Sequence, residues 1–260
     1  MVQRPGSLPE FEAQFPDDEA CARWLFGKRW PDGFRCPGCG HDKGWELGRG
    51  ALLVECARCH RQTSVTAGTV LHRSHLPPEL WFLGAWLVAT HKNGMSARQL
   101  WPQLGLGSYK TAWLLLRKLR RAMVDHERGP LTGLVEVDES SLPFRARGEP
   151  VRPGRSHEGR LLIAGAVELV GKGPGRVRLT VIGDYSAATL NAFVAGNVAA
   201  GSTVVSDGWS GYATLTDVKH DPKVIGDGPA HLVLPWVHRV FANAKRWGLG
   251  VYHGLRRQHL

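Results

Sequence analysis

Long apolar runs are missing from this chain of 260 residues. The longest, Leu80 to Ala89, is too short to span a bilayer and carries two tryptophans. The start of the sequence also lacks the apolar segment of a secretory leader. These absences predict a cytoplasmic protein with no membrane partner.

Acidic residues are in the minority, with 23 Asp and Glu against 33 Lys and Arg, a formal net charge of +10 and an isoelectric point near 9.7. Such a surplus of positive charge predicts an acidic partner. No basic amphipathic segment of the kind that binds membrane surfaces stands out. The composition therefore favours DNA or RNA as the partner.

Cysteine is scarce, with five residues in the chain. Four form two Cys-x-x-Cys pairs, which in a reducing compartment predict a metal site and not disulfides. A redox pair would need only one such motif, in a strand–helix–strand context, so a structural Zn²⁺ is favoured. The predicted zinc ligands are Cys36, Cys39, Cys56 and Cys59.

A small zinc ribbon is predicted for residues 34–75. Trp45 to Leu47 and Leu52 to Glu55 have the composition of two hairpin strands, with Gly48 and Gly50 at the turn. Because four thiolates fill a tetrahedral ion, no position remains for a reacting water, and the zinc is predicted to be structural.

The segment before the ribbon, residues 1–33, is predicted to be an arm followed by a helix. Residues 1–12 contain few large apolar groups and are expected to be loose. Residues 17–30 begin with two aspartates and show helical apolar spacing, which predicts a short amphipathic helix. Cys21 is predicted to be a small core residue of that helix.

Residues 76–128 have a helical pattern that resembles a helix-turn-helix. A helix is predicted over Glu79 to His91, then a pair of helices joined by the glycine-containing turn 104–108. The second helix of the pair is predicted to pack through Trp113, Leu116, Leu119 and Met123. Its basic residues Lys110, Arg117 and Arg121 are predicted to bind DNA. The alternative is a packed helical hairpin with a solvated basic face.

Residues 132–260 change to a strand pattern. Four strands and one helix are predicted, at 133–140, 160–170 and 176–182, then the helix at 187–198 and the strand 203–206. With a further helix at the end, this is the element order of an RNase H-like domain. The predicted fold class is therefore α/β, an RNase H-like mixed sheet with flanking helices, preceded by the zinc ribbon and the helical segment. The arginine-rich loop 144–159 is predicted either to clamp a nucleic-acid backbone or to be a disordered hairpin tip.

Two acidic residues lie at strand-like, β-branched runs in this region. Asp138 follows Val135 to Val137, and Asp207 follows Val204 to Ser206. A buried carboxylate is costly unless a cation meets it, so both are predicted to lie near strand ends and to share Mg²⁺ or Mn²⁺ for phosphoryl transfer. Glu136 falls on the same strand face as Asp138 and is either an auxiliary ligand or a surface residue.

Three neighbours of these acids have simpler predicted roles. Asp184 is predicted to cap the following helix, while Trp209 and Tyr212 are predicted to pack under the loop after Asp207. The alternative for Trp209 is to stack on an unpaired base beside the metal. His220 is left open between a neighbour of the site and a loop residue.

Four motifs in order resemble bacterial insertion-sequence transposases of the ISXO type. They are the two cysteine pairs, Val135 to Ser140, Ser206 to Tyr212, and His238 to Lys245, and the resemblance extends from about residue 17 to the end. It implies a zinc ribbon coupled to a DDE-type catalytic domain that binds the terminal inverted repeats of a mobile element, cuts double-stranded DNA and joins it to a target. It also implies a nucleoid-associated enzyme that acts as a homo-oligomer on DNA.

The third catalytic residue departs from the plainer members of that family, in which a glutamate precedes a basic residue by seven positions. Lys245 occupies the basic position and is predicted to contact a DNA phosphate. His238 stands seven residues earlier, on the same helical face, whereas Asn243 points away. His238 is favoured as the third residue, and Asn243 is the alternative that some relatives suggest. Imidazole suits Mn²⁺ better than Mg²⁺.

The final helix has no terminating signal before Leu260, which predicts an RNase H-like domain that is incomplete at its C-terminus. Two readings compete with an active transposase. One is a catalytically inactive zinc-ribbon DNA-binding protein, and the other is a general nuclease that ignores the ends of the element.

Overall fold

The computed structural model describes residues 5–47, 53–124, 128–143, 160–223 and 230–252. The chain divides into two compact units, residues 1–125 and 126–260. The hairpin turn at Gly48 and Gly50, the arginine-rich loop 144–159 and the last residues of the chain lie outside the described residues. The finer division into four segments stays a prediction.

The first unit contains a three-stranded ribbon and five helices among its described residues. In chain order they are α1 Leu8–Gln14, α2 Asp18–Arg29, β1 Gly44–Glu46, β2 Leu53–Cys56, β3 Gln62–Ser64, α3 Pro78–Thr90, α4 Ala97–Gln103 and α5 Tyr109–Ala122. The strands are antiparallel in the order β1-β2-β3. The predicted hairpin is present, and β3 is an addition that the sequence pattern did not indicate.

Local sequence explains where these helices begin. Asp17 caps α2 by accepting a hydrogen bond from the Ala20 backbone N–H at 2.8 Å. At α4, Ser96 and Gln99 form a capping box in which each side chain accepts from the other residue's backbone N–H.

The prediction of a loose arm over residues 1–12 is wrong, because α1 begins at Leu8 and buries Phe11. The Phe11 ring lies 5.5 Å from the ring of Trp86, and the Phe15 ring lies 4.8 Å from that of Phe82. Cys21 is fully buried beside them, as predicted, and burial raises the pKa of its thiol to about 12. Aromatic packing between distant segments thus orders a helix too short to persist alone.

The second unit is a five-stranded mixed sheet with helices on both faces. Its elements are β4 Leu134–Pro143, β5 Arg160–Val170, β6 Gly173–Ile182, α6 Ala187–Asn197, β7 Thr203–Ser206, β8 Lys219–Pro222, α7 Ala230–Val233 and α8 Pro235–Tyr252, with a 3-10 turn at Ser210–Tyr212. The strand order is β6-β5-β4-β7-β8. β4, β5 and β6 are antiparallel, while β4, β7 and β8 run parallel. The predicted RNase H-like α/β sheet is confirmed, with β8 as an unpredicted fifth strand.

The two sides of this sheet have separate cores. Val135, Val137 and Val204 face α6 and the 3-10 turn, together with Tyr212. Val205 belongs to the opposite core, which α8 covers. Because side chains alternate along a strand, Glu136 and Asp138 share the α8 side with Val205. The sheet therefore presents its central acidic residues to the last helix.

Candidate metal centres and nucleic-acid interface

The four predicted zinc ligands form one cluster in the ribbon. Their sulfur atoms all lie within 4.8 Å of one another. The Cys36–Cys59 and Cys39–Cys56 sulfur pairs are each 3.6 Å apart. A tetrahedral Zn²⁺ with Zn–S bonds of about 2.3 Å has ligand–ligand edges of roughly 3.8 Å. The cluster therefore fits a structural zinc ion.

Backbone N–H groups support negative charge on two of these sulfurs, Cys36 Sγ and Cys56 Sγ. Gly38 N–H points to Cys36 Sγ and Arg58 N–H to Cys56 Sγ, each at 3.4 Å. Burial raises the pKa of Cys36, but the backbone N–H groups of Gly38 and Cys39 and the neighbouring thiols outweigh it and lower the pKa to about 6. A thiol with a lowered pKa is readily deprotonated, which is the form that binds a metal.

Asp138 lies in β4, and Asp207 directly follows β7, the parallel neighbour of β4. The β4–β7 pairing matches Glu136 with Val205, and extending that register by two residues matches Asp138 with Asp207. Adjacent strands are about 4.8 Å apart, and paired residues point to the same side. The expectation that both acids lie at strand ends holds for Asp207, which follows β7 directly. It is wrong for Asp138, because β4 continues to Pro143 alongside β5, and only its pairing with β7 stops before Asp138.

The environment of Asp138 disfavours an uncompensated negative charge. The residue is 5% exposed. Burial raises its pKa to about 8, and the charges of Glu139 and Asp207 add to the shift, while the Glu139 backbone N–H and the Lys245 ammonium oppose it. A bound divalent cation would reverse this balance, since it favours the ionised carboxylate.

Helix α8 begins directly over these acids. The buried Glu136 carboxylate accepts hydrogen bonds from the backbone N–H groups of Trp236 at 2.8 Å and Val237 at 2.9 Å. Burial raises the pKa of Glu136, and those two hydrogen bonds oppose the rise. Glu136 is thus not a surface residue, and its Oε2 caps the first turn of the helix.

The next residue of that helix contacts the acidic site. His238 Nε2 lies 3.5 Å from Asp138 Oδ2. Lys245, two turns later, is close enough to lower the pKa of Asp138. Asn243 is exposed on another side of α8. The structure therefore brings His238 and Lys245 to Asp138 and leaves Asn243 apart, while the catalytic role of each stays a prediction.

A glycine in β5 lets α8 approach the sheet. Gly165 pairs with Asp138 across β4 and β5. A Cβ atom at Gly165 would lie 2.7 Å from the ring of Phe241, which is closer than side chains pack. Phe241 is 2% exposed and lies one turn after His238. The absence of a side chain at Gly165 therefore fixes how closely α8 can approach Asp138.

The opposite face of the sheet anchors the loop after β7. Tyr212, fully buried, donates a hydrogen bond to Glu139 Oε2 at 2.6 Å. Asp207 Oδ1 accepts from the Trp209 backbone N–H at 2.9 Å, and Ser206 Oγ is 2.9 Å from His220 Nε2. Tyr212 packs as predicted, whereas the predicted packing of Trp209 is wrong because it is 49% exposed.

Two acidic residues have roles that the sequence pattern did not predict. Alternation with Asp138 places Glu139 on the other face of the sheet, beneath Tyr212. Glu136 caps α8, whereas the prediction was a metal ligand or a surface residue. The predicted capping role of Asp184 is wrong, because Ser186 is the N-cap of α6 and accepts from the Thr189 N–H, while Asp184 Oδ1 accepts from the Ser186 N–H at 2.9 Å.

The outer side of α5 carries the three basic residues predicted to bind DNA. Lys110, Arg117 and Arg121 are exposed. The residues buried against the rest of the unit are Ala112, Leu115, Leu116 and Leu119. The prediction that Trp113 and Met123 belong to the packing side is wrong, because they are 46% and 59% exposed.

No helix in the described part of the chain is long and apolar enough to cross a membrane. The chain matches two family models, the transposase zinc-ribbon domain over residues 16–62 and the ISXO2-like transposase domain over residues 130–260. No curated protein matches it. The second match covers half of the chain and contains the sheet, both aspartates and α8. The protein therefore belongs to the ISXO2-like transposases, with their zinc ribbon at its N-terminal side.

Proposed function

We propose that this protein is an active transposase that binds the terminal inverted repeats of its element, cuts the DNA and transfers the ends to a target. One observation supports the proposal: the parallel pairing of β4 and β7 brings Asp207 close enough to raise the pKa of Asp138, and helix α8 brings a histidine and a lysine to Asp138. The family match supplies the substrate class.

In this proposal Asp138 and Asp207 hold Mg²⁺ or Mn²⁺, with His238 as the third ligand. Two such ions, when bound, activate the attacking oxygen and stabilise the leaving oxygen of an in-line phosphoryl transfer. Carboxylate oxygens are the preferred ligands of both cations, and imidazole adds a preference for Mn²⁺. Asn243, exposed on α8, is the second choice for the third residue.

The chain's own groups have separable tasks around that site. Lys245 contacts a phosphate of the DNA, because its ammonium lies near the acids yet is partly open to solvent. Lys110, Arg117 and Arg121 bind DNA from α5. The protein acts as a homo-oligomer on DNA in this proposal.

The proposal is tested with end-labelled duplexes taken from the DNA that flanks the gene, with Mg²⁺ or Mn²⁺ added. Asp138→Asn and Asp207→Asn are expected to reduce strand cleavage by about a thousandfold or more, since ion-assisted stabilisation is worth several kcal/mol. Asp217→Asn is the matched control. Asp217 is exposed, has a positive φ of 63° that asparagine tolerates, and lies at the other end of β7 and β8.

Three results would overturn the proposal in different ways. Binding of the terminal repeats with no cleavage under either metal would favour the inactive DNA-binding protein. Cleavage that ignores the ends would favour a general nuclease. Cleavage that survives both aspartate substitutions would remove the metal site from the reaction.

A further inference from the structure

The side of α5 that faces solvent is both basic and apolar. Trp113 and Leu114 are 46% and 51% exposed. They lie on the same helical face as Lys110, Arg117 and Arg121, because each of these five residues is three, four or seven positions along the helix from at least two of the others. Large apolar side chains exposed together on one helix face mark a surface that contacts a partner.

Charge identifies the partner. Helix α5 has five basic residues and no acidic one. Two of the five are engaged within the first unit: Arg120 donates to the Met95 carbonyl at 2.9 Å, and Lys118 Nζ lies 3.4 Å from the His72 carbonyl. The other three project outward beside Trp113 and Leu114. A face with this composition complements a polyanion with apolar groups in its groove, which describes duplex DNA better than a second protein.

The position of the helix fits base contact. α5 is the second helix of the pair joined by the turn 104–108. In helix-turn-helix proteins this helix enters the major groove, where residues of its N-terminal part meet base edges. Trp113, Leu114 and Arg117 lie in the first two and a half turns. Arg121 lies about 16 Å along the helix axis from Lys110, at 1.5 Å per residue. It therefore lies beyond the part of the helix that meets base edges, where a backbone phosphate is within reach.

Trp113 also restrains its neighbour. The Arg117 guanidinium lies over the Trp113 ring, 5.3 Å from its centroid. This cation–π contact reduces the number of arginine conformers that binding must order. An arginine held in this way is suited to bidentate contact with a guanine edge, whereas exposed apolar carbons suit the methyl group of thymine.

We propose that Trp113, Leu114 and Arg117 form a base-reading patch on α5, in which Trp113 and Leu114 contact thymine methyl groups and Arg117 contacts guanine, while Arg121 contacts phosphate. The inference rests on the proposed function for its DNA partner. It assigns sequence recognition to Trp113, which the sequence pattern had placed on the packing side of the helix.

The test is a selection from a random-sequence duplex library with the full-length, zinc-loaded protein and no added Mg²⁺ or Mn²⁺, followed by fluorescence anisotropy on the selected duplex and a scrambled one. The wild type is expected to select a site with thymine and guanine positions. Trp113→Ala and Leu114→Ala are each expected to lower the ratio of selected to scrambled affinity about fivefold or more and to erase thymine preferences, with an unchanged salt slope. Met123→Ala is the matched control, an exposed apolar residue of the same segment on another side of the helix.

The Arg121→Ala variant separates phosphate contact from sequence-specific contact with base edges. It is expected to weaken both duplexes equally and to reduce the salt slope by about one. The inference would be overturned if Trp113→Ala and Leu114→Ala fold, retain zinc and still show the wild-type consensus sequence and the wild-type ratio of selected to scrambled affinity. That result would leave end-specific cleavage intact. A change of oligomeric state in sedimentation, without a change in DNA preference, would also overturn it and would identify the face as an interface between copies.

Discussion

The two candidate metal centres are built in opposite ways. In the ribbon, all four ligands come from residues 36–59, and their sulfur atoms cluster with few buried side chains around them. In the second unit, Asp138, Asp207 and His238 come from two strands and a helix that are distant in sequence, and apolar cores on both sides of the sheet hold them. We therefore expect the first site to need its ion to fold, and the second unit to fold without one.

The largest expected difference comes from removing one ribbon ligand. Cys56→Ser should abolish the single equivalent of zinc and unfold the ribbon, because metal binding of about 10–16 kcal/mol is the folding energy of such small domains. Zinc analysis and hydrogen exchange of residues 16–62 measure both effects. Cys21→Ala is the control, since Cys21 is buried outside the cluster and should leave zinc in place. A Cys56→Ser protein with full zinc content and a protected ribbon would contradict the first half of the comparison.

The next largest effect is expected from removing the carboxylate of Glu136, which holds the start of α8 on the sheet. Glu136→Leu removes the acceptor for two backbone N–H groups at the helix start and should lower the free energy of unfolding of the second unit by about 2–4 kcal/mol. Strand cleavage should fall as well, because His238 and Lys245 depend on the position of this helix. The matched variant Glu136→Gln keeps an acceptor oxygen and should lose about 1 kcal/mol.

Hydrogen exchange of the backbone amides of β4 and α8 in urea measures the stability of this unit separately from that of the ribbon. A Glu136→Leu protein whose α8 exchanges as slowly as in the wild type would show that packing of Phe241 alone sets the helix, and that the carboxylate adds nothing. Zinc content should be unaffected in both variants, which confines the effect to the second unit.

Where a pattern is local, the sequence predicted it well. The cysteine spacing predicted the zinc cluster, and apolar periodicity predicted the strands 160–170 and 203–206 with the ends that the structure has. α1 was missed although Ser7 and Glu10 have the spacing of a capping pair, and its stability comes from aromatic contacts with α3. β8 was missed because Lys219–Pro222 is polar and is ordered by pairing with β7.

Where side chains meet across the fold, prediction was weaker. On α5, helical spacing placed Trp113 on the packing side, yet its small neighbour Ala112 is the buried residue. Helix periodicity gives the width of a face, and only the packed neighbours decide which residue is its centre. Likewise the alternation of Glu136 and Asp138 showed a shared face, but no local pattern could show that the start of α8 lies over one of them and His238 over the other.

The smallest expected effect is that loss of a ligand changes stability in opposite directions at the two sites. Losing a ribbon ligand destabilises the protein, but Asp138→Asn should raise the metal-free melting temperature of the second unit by a few degrees. The pKa of Asp138 is about 8 in the folded protein against an ordinary value of 3.8, so the folded state binds the extra proton. Stability of the wild type should therefore fall as pH rises from about 4 to about 8, and the asparagine variant should lack this part of the decline. Thermal unfolding of the second unit at pH 5 and pH 8.5 measures this difference between the two proteins.

Adding Mn²⁺ at pH 8.5 should stabilise the wild type and not the variant, since the cation compensates the charge that asparagine removes. Equal melting temperatures for the two proteins at pH 8.5, with and without Mn²⁺, would mean that Asp138 neither strains the fold nor binds the ion.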